Sequence, residues 1–146
     1  MRSGGTCQAF ELTPKGSIMP IAITAVYASV LALIILALGI NVTVHRVKFQ
    51  IPLGDAGNPD MLRMIRIHAN AIEYVPLALL LMALYEFNGG WHAALHVIGI
   101  ALIAARVIQT LAMWSTHRPN MGRRIGQSLT WLSLAGLALL NLAKVL

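Results

Sequence analysis

Apolar residues dominate four long stretches of this chain, at about residues 21–44, 60–86, 91–115 and 123–145. The first runs from Ile21 to Val44 without a charge, and the last holds an uncharged stretch from Ile125 to Ala143. Runs of roughly 18 or more apolar residues are long enough to cross a hydrocarbon core as helices, and no roughly 10-residue alternating segments of a barrel are present. The pattern therefore predicts an all-α, integral membrane protomer, a four-helix bundle. Phe49–Pro59, with Pro52, Gly54, Gly57, Asn58 and Pro59, reads as a loop, and Asp60 as the N-cap of the second helix. Glu86–Gly90 reads as a tight turn that makes spans 2 and 3 an antiparallel hairpin.

The second stretch departs from the pattern. Only Tyr74–Tyr85 is apolar and continuous, so a helix that crosses must include Arg63, Arg66, Asn70 and Glu73. Their spacings of three, four and three put them on one stripe. Charged groups in a membrane helix persist where they face protein, pair with one another or line a polar cavity. Pro76 frees the Ile72 carbonyl and predicts a kink beside Glu73.

Composition sharpens the class. The chain is 58% hydrophobic and 11% charged, with a mean hydropathy of +0.73, against about 25% charged in an ordinary soluble domain. The net charge of +6 comes from basic residues spread over loop ends and helix interiors, with no basic tract carrying interleaved aromatics. Nucleic acid is accordingly not a partner. Lys and Arg gather in the loops joining spans 1–2 and 3–4, as Arg46, Lys48, Arg118, Arg123 and Arg124. Those loops should face the cytoplasm, with both termini opposite. Residues 1–18 lack the order of a signal peptide and read as a disordered extension or an upstream mis-start before Met19. The single cysteine, Cys7, excludes an intrachain disulfide.

Counted from the centre of the 2–3 turn, Glu73 and Arg106 lie at similar depth, within roughly 3 Å. An ion pair of Glu73 with Arg106, or else with Arg66, is the economical expectation, Glu73–Arg106 being the structural pair. Two readings of Arg66, Asn70, Glu73 and Arg106 stay open. They form a polar clamp that fixes helix register or oligomer contacts, or they line a cavity for an anionic or zwitterionic small molecule. His68 reads as a packed or interfacial histidine. His92 and His96, an i, i+4 pair without a third ligand, do not make a metal site.

The run Arg66-Ile67-His68-Ala69-Asn70-Ala71-Ile72-Glu73-Tyr74-Val75-Pro76 resembles the helix-2 signature of the membrane-associated proteins in eicosanoid and glutathione metabolism, the MAPEG family. The resemblance extends from Met19 to the C-terminus and is closest to the compact bacterial branch. It implies a homotrimer in the bacterial inner membrane, with glutathione as co-substrate held between subunits near the cytosolic side. Arg46, Arg66, Asn70 and Glu73 would then bind glutathione. Arg123 or Arg124 would stabilise its thiolate against a lipophilic electrophile from the bilayer. The well-studied members carry a histidine and a tyrosine on helix 3 where this chain has Gln109 and Met113. Their helix-4 tyrosine falls near Gly126 or Gln127. A non-catalytic membrane scaffold that uses the polar stripe for assembly is the alternative.

Overall fold

The computed structural model describes residues 21–115 and 120–146. The extension expected over residues 1–18, Cys7 within it, and His117, Arg118 and Pro119 lie outside the described residues. The described chain forms four α-helices, α1 (Ala22–Phe49), α2 (Pro59–Phe87), α3 (His92–Ser115) and α4 (Met121–Val145). Each is long and apolar enough to cross a membrane. No strand occurs among the described residues. The all-α, four-span expectation holds.

The helix ends differ from the expected ones in instructive ways. The first helix continues past Val44 to Phe49, so His45, Arg46 and Lys48 are helical, and it ends at Gln50 in the left-handed region (φ 55°). Cations suit the negative end of a helix dipole, so they extend the helix rather than break it. The second helix is capped by Asn58, not Asp60. The Asn58 Oδ1 accepts from the Asp60 and Met61 N–H groups at 2.9 and 3.1 Å, and Pro59 sits in the first turn where its missing N–H costs nothing. Asn120 caps α4 in the same way through the Arg123 N–H at 2.9 Å, so α4 begins two residues before the expected Arg123.

The first helix has no capping residue of its own. Its Ile23 and Thr24 N–H groups donate instead to the two carboxylate oxygens of Glu86, at 2.8 and 2.7 Å. Glu86 is thus buried at the end of α2 rather than solvated in a turn. It meets the positive end of α1, where a carboxylate is most favourable.

Within the bundle α2 and α3 each touch the other three helices, whereas α1 and α4 do not meet among the described residues. The main core is built from Leu31, Val75, Met82, Leu95, Leu102 and Leu137 with their neighbours. A smaller cluster of Leu38, Met64, Ile67, Ala71 and Met113 lies nearer the 1–2 loop. On α2 the buried residues Ile67, Ala71, Val75, Ala78 and Met82 trace one helical stripe. Leu33, Leu36, Leu80, Ile100 and Leu139 are exposed, as lipid-facing side chains are. Gly99 allows α1 to approach α3, because a Cβ there would lie 2.6 Å from the Tyr27 ring. The Tyr27 hydroxyl is shared with His96 Nδ1 at 2.9 Å, which fixes the same crossing.

Candidate functional site

Arg106 sits in the middle of α3 and is 2% exposed. A guanidinium has donors only, and in a low-dielectric interior each one needs an acceptor. Its Nη1 donates to the Asn70 carbonyl at 3.1 Å and to Asn70 Oδ1 at 3.4 Å. Its Nη2 donates to the Thr130 hydroxyl on α4, and that hydroxyl donates to the Gly126 carbonyl at 2.9 Å. One side chain thereby joins α2, α3 and α4.

A turn further along α3, Gln109 extends the cluster. Its Nε2 donates to Asn70 Oδ1 at 2.9 Å and to Gln127 Oε1 at 2.7 Å. Gly126 lets α4 come this close, since a Cβ there would lie 2.8 Å from the Ala105 carbonyl oxygen and from Gln109 Cβ. Two buried atoms of this cluster, Arg106 Nε and Gln109 Oε1, have no hydrogen-bond partner among the described residues.

Gln127 also lines a cleft of about 370 Å³ with Asn120, Arg123, Arg124, Ser128 and Trp131. Arg123 and Arg124 are exposed, and their guanidinium groups make no hydrogen bond or ion pair among the described residues. The cleft lining holds two exposed cations, the Asn120 and Gln127 amides and no carboxylate. Such a site suits an anion.

The stripe on α2 divides between interior and surface. Asn70 is half-buried and belongs to the cluster, whereas Arg66 and Glu73 are exposed. The expected Glu73–Arg106 ion pair does not form in the protomer. Among the described residues Arg63 instead pairs with Asp60 at 2.8 Å and donates to the Trp114 carbonyl at 3.2 Å. Arg106 does lie at the depth of the α2 stripe, where it meets Asn70 rather than Glu73. Glu73 lies about 60° around the helix from Asn70, since three residues turn about 300°, and that rotation takes it off the α3-facing side.

Arg46 is held at the end of α1, where its Nη1 donates to the Ile51 and Gly54 carbonyls at 3.3 and 3.1 Å. His68 packs over Gly39, in an apolar groove on the α1 side of α2. His96 is engaged by Tyr27, and no group of three or more candidate metal ligands exists among the described residues. Thr130 went unnoticed in the sequence, and Gln109 and Gln127 were noticed only as departures from a pattern. A local signal existed: Arg106 with Gln109, and Gln127 with Thr130, are polar pairs three residues apart inside apolar helices.

A four-helix membrane protomer with a buried Asn–Arg–Gln–Thr cluster behind a cationic cleft is the class of protein these residues define. The chain belongs to the MAPEG family, whose sequence profile matches residues 24–143. It is 36% identical over 120 residues to the inner membrane protein YecN of Escherichia coli strain K12, which covers 82% of this chain and 90% of that protein. The YecN protein of Escherichia coli O6:H1 matches to the same extent.

Proposed function

We propose that this chain is a glutathione-dependent transferase or peroxidase-type protein of the bacterial inner membrane, acting as a homotrimer on lipophilic electrophiles. The observation that carries this reading is the pair of exposed guanidinium groups, Arg123 and Arg124, which line the Gln127 cleft and have no partner among the described residues. The name of the Escherichia coli relatives supports the inner membrane. The basic ends of α1 and α4 support a cytoplasmic site.

Glutathione offers carboxylates, an ammonium, amides and a thiol. Arg66, Asn70 and Glu73 supply a cation, an amide and an anion along one side of α2, and the Nη2 and Nε donors of Arg46 have no partner among the described residues. Arg66 and Glu73 are exposed on a membrane helix, a costly position unless something polar covers them. A second copy of the chain and a bound ligand would do so together.

In the chemical step the thiol proton leaves to water and Arg123 or Arg124 stabilises the thiolate. The thiolate is the competent nucleophile. Its sulfur forms a bond to the electrophilic carbon while the leaving group departs with its bonding pair. The test is conjugation of glutathione to an activated aryl halide by the purified protein. The Arg123→Ala/Arg124→Ala variant should lose about ten-fold or more of the rate. Equal rates in the two proteins would contradict the assigned roles.

A scaffold reading has one observation in its favour. Arg106, Asn70, Gln109 and Thr130 use one another as partners, as a structural clamp would. In that reading Glu73→Gln breaks the oligomer rather than ligand binding.

A further inference from the structure

The hydrogen bonds behind the cleft have a direction. Arg106 can only donate, so the Asn70 side-chain oxygen must face it. Gln109 lies 2.9 Å from that same oxygen and must present its nitrogen. The second hydrogen on that nitrogen meets Gln127 at 2.7 Å, so Gln127 must turn its oxygen inward. Reversing any of these amides would set acceptor against acceptor or donor against donor, which is how amide orientations are decided. The chain of constraints even leaves Gln109 Oε1 buried without a partner, although that residue is only 3% exposed.

The last member of the chain is the one that lines the cleft. With its oxygen held by Gln109, Gln127 has its Nε2 and both hydrogens left for whatever enters. Among the described residues that nitrogen has no partner. Asn120, the other amide in the lining, is already engaged, its oxygen accepting from the Arg123 N–H and its nitrogen donating to the Ala112 carbonyl. The cleft lining therefore combines an unengaged amide donor with two cations.

We propose that Gln127 is a ligand-binding residue whose amide N–H is held toward the cleft by Arg106, acting through Asn70 and Gln109, to receive an anionic atom. Resting on the glutathione reading above, that atom is the thiolate sulfur or a carboxylate oxygen of the thiol ligand. Gln109, Asn70 and Arg106 are positioning residues for it. The arrangement gives a neutral donor near the place of the helix-4 tyrosine of the well-studied members, and it ties ligand recognition to a buried guanidinium that never contacts the ligand.

The test uses the full chain in lipid nanodiscs with isotope-labelled glutamine side-chain amides, followed by nuclear magnetic resonance. The Gln127 signal is identified by its loss in Gln127→Leu. Without any ligand, its amide protons should exchange with water on the order of ten-fold faster than those of Gln109. They should also broaden with a water-soluble paramagnetic chelate. Protection of Gln127 equal to that of Gln109 would overturn the proposal, and this arm needs no variant to fold.

Added glutathione should then shift the Gln127 amide, and Gln109→Leu should diminish that shift. S-methylglutathione separates the two sources. A retained shift assigns a carboxylate and a lost one assigns the thiolate. Glutathione that binds by calorimetry without moving Gln127 overturns the inference while leaving the transferase reading intact. If glutathione does not bind at all, the transferase reading fails, and sulfate becomes the probe. A Gln127 shift with sulfate supports the amide donor, and no shift overturns it.

Discussion

Arg106 reaches Asn70 twice, at the backbone carbonyl and at the side-chain oxygen, from the middle of a neighbouring membrane helix. Asn70 thus carries information in both directions. Its backbone oxygen helps satisfy a buried guanidinium, and its side chain hands the polarity on to Gln109. The fold and the cleft are built on the same contact.

Removing the guanidinium should be costly for stability. Arg106→Met leaves Asn70 and the Thr130 hydroxyl short of a donor inside the bundle, at about 1–3 kcal/mol for each group left unsatisfied. Thermal unfolding in detergent should fall clearly below wild type, and an unchanged midpoint would show that the contact is dispensable.

Two of the three glycines of α4, Gly126 and Gly136, should respond in opposite ways to the same substitution. Gly126→Ala drives a Cβ to 2.8 Å from the Ala105 carbonyl oxygen, and overpacking of this kind costs about 1–3 kcal/mol. Gly136→Ala meets nothing within 4 Å and should be neutral or stabilising by up to about 1 kcal/mol. Unfolding midpoints that fall equally for both would contradict the close α3–α4 approach.

Glu86 makes a further prediction about the opposite end of the bundle. Glu86→Ala removes both acceptors from the start of α1 and should cost about 0.5–2 kcal/mol, the range of a lost N-cap. Hydrogen exchange should rise at Ile23 and Thr24 first. Exchange unchanged at those amides would mean that the cap contributes nothing.

The architecture was legible because membrane spans announce themselves by length and hydropathy. The hairpin turn and the break at Phe49–Pro59 are local signals of Gly, Pro and Asn. The Arg66–Glu73 run carried the family resemblance, which the profile match and the Escherichia coli relatives establish. Partners were harder to read. Counting residues from the turn gives depth but not azimuth, so it pairs Arg106 with Glu73, whereas the side chain that meets Arg106 is Asn70. Glu86 was read as a turn residue because nothing in its own neighbourhood points to α1, 62 residues away. Thr130 looks like any tolerated hydroxyl in an apolar helix until Arg106 is placed against it.

The measurement that matters most is calorimetric titration of the detergent-solubilised protein with glutathione, beside Arg66→Ala and Glu73→Gln, with the oligomeric state recorded for each. Both side chains are exposed in the protomer, so neither variant should disturb its fold. A ligand site predicts saturable binding to wild type and at least about ten-fold weaker binding in both variants, with the oligomer retained. Wild type that binds no glutathione, with variants that dissociate, would contradict it and leave the polar stripe as an assembly clamp.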